Sequence, residues 1–74
     1  MANDNFKYEI VEKIAVLSQY GNTSKELNKV SYNGTQPKYD IRSWTRDGGT
    51  EKMSKGVTLT DNELKALKDA LAKI

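Results

Sequence analysis

Residues 37–46 read PKYDIRSWTR, and this stretch decides the fold class. After the proline, charged side chains alternate with aromatic, apolar or small ones, and a period of two is typical of a strand with two different faces. We expect the charged face to be exposed and the other face to point toward the core. The two predicted faces are Lys38, Asp40, Arg42, Trp44 and Arg46 on the charged side, and Tyr39, Ile41 and Ser43 on the core side.

Turn signals divide the rest of the chain before residue 60. Gly21-Asn22, Asn33-Gly34 and Asp47-Gly48-Gly49 hold residue types that tolerate the positive φ of tight turns. The stretches between them predict strands over roughly 6–19, 25–33, 37–46 and 52–59, joined as an antiparallel meander. The first strand is long and its apolar residues fall in mixed phase, which predicts a bulge.

A helix is predicted after the fourth strand. Thr60-Asp61-Asn62-Glu63 has the form of a capping box, in which a hydroxyl and a carboxylate satisfy two backbone amides. The spacing of the apolar residues that follow predicts one narrow stripe, which packs either on its own sheet or against a second copy of the chain. We assign this stripe to a dimer interface of Leu64, Leu67, Leu71 and Ile74. The expected fold is α+β, with four strands and one C-terminal helix (ββββα), in a homodimer.

The composition excludes several classes of protein. The chain has 74 residues with no cysteine and no histidine, so disulfides, thiolate or imidazole metal sites and Cys–His or Ser–His–Asp catalysis are ruled out. Phosphate-binding glycine loops are also missing from the sequence. We therefore expect no enzyme, no cofactor and no metal. A single domain of this size buries only about 60% of its unfolded surface, and association with a second copy would add stability.

Positive charge is concentrated in the middle of the chain. The net charge is +2, but residues 25–55 contain seven Lys or Arg against four acids. An indole among cations favours a ligand that covers it, and single-stranded nucleic acid offers both phosphates and base faces, at about 1–3 kcal/mol per stacked base. The charges alone are more typical of a solvated face, and Tyr32 reads either as a second stacking platform or as a half-buried strand residue. The candidate binding residues are Lys25, Lys29, Tyr32, Lys38, Arg42, Trp44, Arg46, Lys52 and Lys55.

Three motifs carry a resemblance to a known family. Lys38-Tyr39-Asp40-Ile41-Arg42-Ser43-Trp44, Lys55-Gly56-Val57-Thr58-Leu59 and the capped helix resemble the positive cofactor 4 (PC4) transcriptional coactivators. The likeness extends from about Phe6 to Ile74 and is strongest to the bacterial YdbC-like branch, which also resembles residues 25–28 and 37–42. In many eukaryotic members the aromatic residue follows the arginine by three positions, whereas Trp44 follows Arg42 by two.

The resemblance implies a function as well as a fold. Members are homodimers that bind single-stranded DNA along their sheets largely without sequence preference, and the motifs nominate Arg42, Trp44 and Lys55 as contacts. We expect one such domain over residues 1–74, with 1–5 disordered, a role in transcription, replication or repair, and a bacterial cytoplasmic location that includes the nucleoid. The longest wholly apolar run, Ile14–Leu17, is too short to span a membrane. Two alternatives stay open: an adaptor whose basic face binds an acidic protein with Trp44 as anchor, and an RNA-binding module.

Overall fold

Four antiparallel strands and one C-terminal helix make up the fold in a computed structural model, which describes residues 7–74. The elements are β1 Tyr8–Tyr20, β2 Thr23–Tyr32, β3 Lys38–Asp47, β4 Thr50–Leu59 and α1 Asp61–Leu71. The strands lie in the order β1-β2-β3-β4, so the predicted meander and the ββββα order are confirmed. Each predicted strand boundary falls within two residues of the observed one. The expectation of disorder over residues 1–5 lies outside the described residues.

The turns use the residues that the sequence marks as turn formers. Asn33 and Gly34 have φ angles of 53° and 75°, and Gly48 and Gly49 have φ angles of 58° and 87°. Two successive positive φ angles twist the chain in the sense that suits a tight hairpin, and glycine and asparagine adopt them at least cost. The chain can therefore reverse within a few residues at both places.

Strand β1 contains three register shifts against β2, which confirms the predicted bulge and adds two more. The shifts lie between Ile10 and Glu12, between Lys13 and Ala15, and between Val16 and Ser18. At each shift, an advance of two residues along β1 corresponds to an advance of one residue along β2. Val11, Ile14 and Leu17 are therefore the extra residues. Bulges bend a strand and increase its twist, so β1 curves strongly along its whole length.

Each antiparallel pair of residues shares a face, and the registers therefore define two faces of the sheet. On β2 and β3 the alternation is regular, because no shift interrupts their pairing from Thr23↔Thr45 to Val30↔Lys38. We call the inner face the side formed by Tyr8, Ile10, Lys13, Val16, Gln19, Ser24, Glu26, Asn28, Val30, Tyr32, Lys38, Asp40, Arg42, Trp44, Arg46, Glu51, Met53, Gly56 and Thr58. We call the outer face the side formed by Glu9, Glu12, Ala15, Ser18, Tyr20, Thr23, Lys25, Leu27, Lys29, Ser31, Tyr39, Ile41, Ser43, Thr45, Asp47, Thr50, Lys52, Val57 and Leu59.

The sheet curls toward its inner face and buries it. The Tyr8 hydroxyl at the start of β1 donates a hydrogen bond of 2.6 Å to Glu51 on β4, the opposite edge strand. In the described part of the chain, residues 7–74, the fully or nearly buried residues all lie on this face: Ser24, Glu26, Asn28, Val30, Asp40 and Trp44. The expectation that Tyr39, Ile41 and Ser43 face the core and that the charged side is exposed was therefore wrong. Alternation shows which residues share a face, whereas the direction of curl decides which face is enclosed.

The outer face carries an apolar row that crosses all four strands. Leu27 pairs with Ala15 on one side and with Ile41 on the other, and Ile41 pairs with Val57. Val57 is 54% exposed and Leu27 and Ile41 are only half-buried. The apolar side of this sheet is thus the open one.

Helix α1 begins as predicted and leaves its apolar stripe largely uncovered. The Thr60 side chain accepts from the Glu63 amide at 3.1 Å, and the Thr60 amide donates to Glu63 Oε1 at 2.9 Å, which confirms the capping box. None of the residues Asp61–Leu71 is buried, although Leu64 and Leu67 are half-covered. Ile74 lies beyond the helix end and is 98% exposed. Within residues 7–74, no helix is both long enough and apolar enough to cross a membrane.

Candidate nucleic-acid interface

Asp40, Arg42 and Tyr32 form one cluster on the inner face. Arg42 Nε and Nη2 donate to the two oxygens of Asp40 at 2.7 and 2.8 Å, a bidentate pair, and the Tyr32 hydroxyl donates to Asp40 Oδ2 at 3.0 Å. The Arg42 guanidinium also lies over the Tyr32 ring at 5.6 Å. The bond to Asp40 raises the pKa of Arg42, and burial together with the Asp40 charge raises the pKa of Tyr32 to about 12. Tyr32 is therefore half-buried, with its hydroxyl bound rather than in solvent.

Glu26, Arg46 and Glu51 form a second cluster that joins three strands. Arg46 Nη1 donates to Glu26 at 2.7 Å and Arg46 Nε donates to Glu51 at 2.7 Å. The bond from Arg46 is the largest of the effects that lower the pKa of Glu26 to about 2, and bonds from Asn28 and Ser24 act in the same direction. Bonds from Tyr8 and Arg46 lower the pKa of Glu51. Both carboxylates thus stay ionised at neutral pH.

Trp44 lies at the bottom of the inner face. Its side chain is completely buried, its ring lies 5.4 Å from that of Tyr8, and the Arg46 guanidinium stands 5.6 Å from its centre. The prediction of an exposed indole was therefore wrong, because the curl of β1 covers a position that a flat sheet would leave open. Two interpretations of Trp44, as an exposed stacking platform and as the anchor of an adaptor, depended on an exposed indole. The burial of Trp44 removes that support.

The structure separates the predicted binding residues into two groups. The inner face brings together Tyr32, Lys38, Arg42, Trp44 and Arg46, whereas Lys25, Lys29 and Lys52 lie on the outer face. Lys55 is exposed on β4 within the register shift opposite Ser43. Lys29 stands 5.2 Å above the outer-face ring of Tyr39. The nine residues therefore do not form one continuous row.

Sequence reasoning missed two inner-face residues, Lys13 and Asn28. Lys13 is exposed and pairs with Asn28 across β1 and β2, and the two border the same cavity. Lys13 was overlooked because its place on the inner face depends on bulges that shift the alternation of β1. The register of β1 against β2 is the information that places Lys13 on the inner face, and the sequence alone does not supply it.

The inner face can bind anions chiefly through its lysines. Both guanidiniums are already paired with carboxylates, and the exposed fractions of the Arg42 and Arg46 side chains are 14% and 34%. Lys13 and Lys38 are exposed, by contrast, and their ammonium groups can reach a phosphate without breaking an internal ion pair. Within residues 7–74, no group of three acidic side chains is arranged to hold a metal ion.

Comparison with known proteins gives the family. The family model for the transcriptional coactivator p15 (PC4) matches residues 21–70, which span β2, β3, β4 and nearly all of α1. The chain belongs to this family of DNA-binding, coactivator-like proteins. It is also similar to a protein of Treponema pallidum (strain Nichols) that carries only the description "Uncharacterized protein". The two are 49% identical over 72 residues, covering 96% of this chain and 82% of the relative.

Proposed function

We propose that the protein is a homodimer that binds single-stranded DNA largely without sequence preference and has a role in transcription, replication or repair. The observation that supports this most is the composition of the inner face, where Lys13, Lys38, Arg42 and Arg46 share one curled surface with aromatic rings. Single-strand-binding proteins combine a cationic groove with flat groups on which bases stack. Family membership points to the same ligand class.

Each type of side chain has a distinct role in this proposal. The exposed lysines bind phosphates as mobile point charges, so they supply the salt-dependent part of the affinity. The half-buried ring of Tyr32 and the planar guanidinium of Arg42 above it offer surfaces for base stacking. Asp40 holds that guanidinium in place, which lowers the entropy lost when a base stacks on it.

We assign the dimer contact to the other side of the molecule. The outer-face row of Leu27, Ile41 and Val57 and the stripe of α1 are two apolar surfaces that the fold leaves partly or fully uncovered. Exposed apolar surface of this kind is typical of a contact with another chain. A second copy would cover the helix stripe and the row together, and would leave both inner faces free for nucleic acid.

Fluorescence anisotropy with a labelled oligo-dT and a duplex of equal length tests the binding proposal. We expect the single strand to bind more tightly, with an affinity that falls as salt rises. The double variant Lys13→Gln/Lys38→Gln should reduce the log–log salt slope by about 1.4, at about 0.7 per lost phosphate contact. Lys25→Gln/Lys29→Gln removes the same charge from the outer face and serves as the matched control.

Two outcomes would contradict the binding proposal. Tighter binding of the duplex would refute the single-strand ligand. A larger decrease of the salt slope in the outer-face variant than in the inner-face variant would indicate that DNA binds to the outer face, which contradicts the proposal. A parallel titration with oligo-U measures the preference for DNA over RNA, since stacking and phosphate contacts alone distinguish the two sugars poorly.

Sedimentation equilibrium at micromolar concentration tests the dimer. Leu67→Lys places a charge in the helix stripe and should shift the protein to monomers, because a buried ammonium at the contact has no partner. Ala66→Lys introduces the same side chain one position away, off the stripe, and should leave the dimer intact. A wild-type monomer at these concentrations would refute the assembly without affecting the inner face.

A further inference from the structure

A cavity opens on the inner face where the bulged part of β1 crosses β2. Its volume is about 230 Å³, below the range of about 300–1,000 Å³ that is usual for drug-sized ligands, so it suits a single small ring. Ile14 and Val16 are 42% and 60% exposed, which leaves apolar side chains open at its β1 side. The lining residues are Lys13, Ile14, Ala15, Val16, Glu26 and Asn28.

Asn28 brings an unused hydrogen-bond acceptor to this cavity. The residue is 1% exposed, and its Nδ2 donates to Glu26 Oε1 at 2.9 Å. An ionised carboxylate can only accept, so the amide nitrogen must face Glu26 and the amide oxygen must face away from it. That oxygen, Oδ1, is buried and has no hydrogen-bond partner among residues 7–74. A buried acceptor without a partner is costly, and it marks a place where a ligand donor would be favourable.

The neighbouring carboxylate cannot supply that donor, and it restricts which ligand fits. Glu26 already accepts bonds from Ser24, Asn28 and Arg46, which use nearly all of its lone pairs. Its negative charge is still close to Asn28, so a carbonyl oxygen beside the incoming donor would be repelled. The polar side of the cavity consequently accepts an N–H group and disfavours a flanking C=O group.

We propose that this cavity is a base subsite that favours cytosine, a single-ring base with an exocyclic amino group, over thymine and uracil, which have none. The assignment rests on the proposed single-strand-binding function and adds a base bias to one position of an otherwise sequence-tolerant surface. The base lies with its face against Ile14 and Val16, its amino group donates to Asn28 Oδ1, and Lys13 at the rim contacts the adjoining phosphate. Uracil could donate only from N3, which would bring a carbonyl toward Glu26.

Paired titrations with oligo-dC and oligo-dU of about 12 nucleotides test the subsite, since the two bases differ at N3 and C4 and neither carries a methyl group. At pH 8, where cytosine is unprotonated, we expect oligo-dC to bind about fivefold to tenfold more tightly. Oligo-dC carrying two methyl groups on N4 has no amino donor and should fall to the affinity of oligo-dU. This comparison uses the unaltered protein, so it does not depend on any variant folding.

Two substitutions complete the experiment. Asn28→Leu should reduce the ratio of the two affinities to about one while changing the affinity for oligo-dU less than twofold. Lys13→Gln should weaken both oligonucleotides equally and preserve the ratio, since it removes a phosphate contact.

Three results separate failure of the subsite from failure of the wider proposal. Equal wild-type affinities for oligo-dC and oligo-dU would overturn the subsite and leave single-strand binding intact. A change in dimer dissociation on Asn28→Leu, with no change in the affinity ratio, would assign the cavity to a protein contact and also overturn it. Absence of binding to both oligonucleotides at low salt would refute the proposed function itself.

Discussion

The two faces of the sheet invert the usual distribution of polarity. The inner face holds two ion-pair clusters together with Trp44 and Val30, and of the six residues buried there within residues 7–74, four are polar or charged. The outer face carries Leu27, Ile41 and Val57 in one row and leaves them half-buried or exposed. A protein that functioned as a lone chain would be expected to place these faces the other way round. This inverted distribution is consistent with the proposal that a second copy covers the outer face.

The two faces also differ in how their contacts depend on one another. On the inner face Arg42 and Arg46 each bond to side chains on more than one strand or to backbone, so loss of one partner leaves charged groups unpaired. On the outer face the apolar residues contact neighbours without such directional bonds. Substitutions on the inner face should therefore affect folding of the chain, and those on the outer face should affect its association.

The largest expected effect is from loss of the Asp40 carboxylate. Asp40→Ala leaves the Arg42 guanidinium, which is 14% exposed, without its bidentate partner, and should lower the free energy of unfolding by about 3 kcal/mol. Urea denaturation at one fixed protein concentration measures this, because the proposed dimerisation would make stability concentration-dependent. Asp69→Ala removes a carboxylate from an exposed helix position and should change stability by about 0.5 kcal/mol or less. Equal effects would show that the buried Asp40–Arg42 pair adds no more stability than an exposed carboxylate does.

A smaller loss is expected at Gly56, where the neighbouring strand β3 leaves no room for a side chain on β4. A Cβ atom on Gly56 would clash with Arg42 Cβ and with the Ile41 carbonyl oxygen, so the strands must separate to admit it. Gly56→Ala should cost about 2 kcal/mol in unfolding free energy, as overpacking generally does. Lys55→Ala, at the exposed neighbouring position, is the control and should be nearly neutral. A neutral Gly56→Ala would show that the strand pair yields at little cost.

The inner face should also make stability depend on pH. The pKa of Glu26 is lowered to about 2 in the fold from an unfolded value of 4.5, and the pKa of Glu51 is lowered as well. Their contribution is therefore complete above about pH 5 and is lost as pH falls toward 2, because the unfolded state takes up protons in this range before the folded state does, until both states are protonated. Thermal unfolding midpoints should drop across this window. Glu26→Gln should be less stable at pH 7, by about 1.5–3 kcal/mol, and should show a flatter dependence.

The smallest effect on folding is expected on the outer face. Val57 is 54% exposed, so Val57→Ser removes little buried surface and should change the unfolding free energy of the monomeric chain by about 0.5 kcal/mol or less. Its effect should appear instead as weaker self-association in sedimentation. A large loss of monomer stability with an unchanged dimer would mean that the outer row is part of the chain's own core.

The sequence predicts the elements of this fold well and the direction of its curl poorly. Turn residues such as Asn33-Gly34, the capping box at Thr60 and the mixed phase of β1 are local signals, and each corresponds to a feature that the structure confirms. The burial of Trp44 is not local, since it requires Tyr8 to approach from another strand. The pairing of Arg46 with Glu26 and Glu51 likewise depends on register across three strands. The Asp40–Arg42 pair is different, because its two residues lie two positions apart on one strand and the sequence alone places them on the same face.

The repeated bulges of β1 also bear on how this protein can change in length during evolution. Val11, Ile14 and Leu17 are extra residues, so deletion of any one restores ordinary pairing and leaves every other side chain of the strand on its present face. A deletion inside β2 or β3 would instead exchange the faces of all residues on one side of it. Single-residue losses in β1 should thus alter curvature in small steps while preserving the surface chemistry. A variant lacking Ile14 should retain the circular dichroism of the folded chain, whereas one lacking Leu27 should lose it.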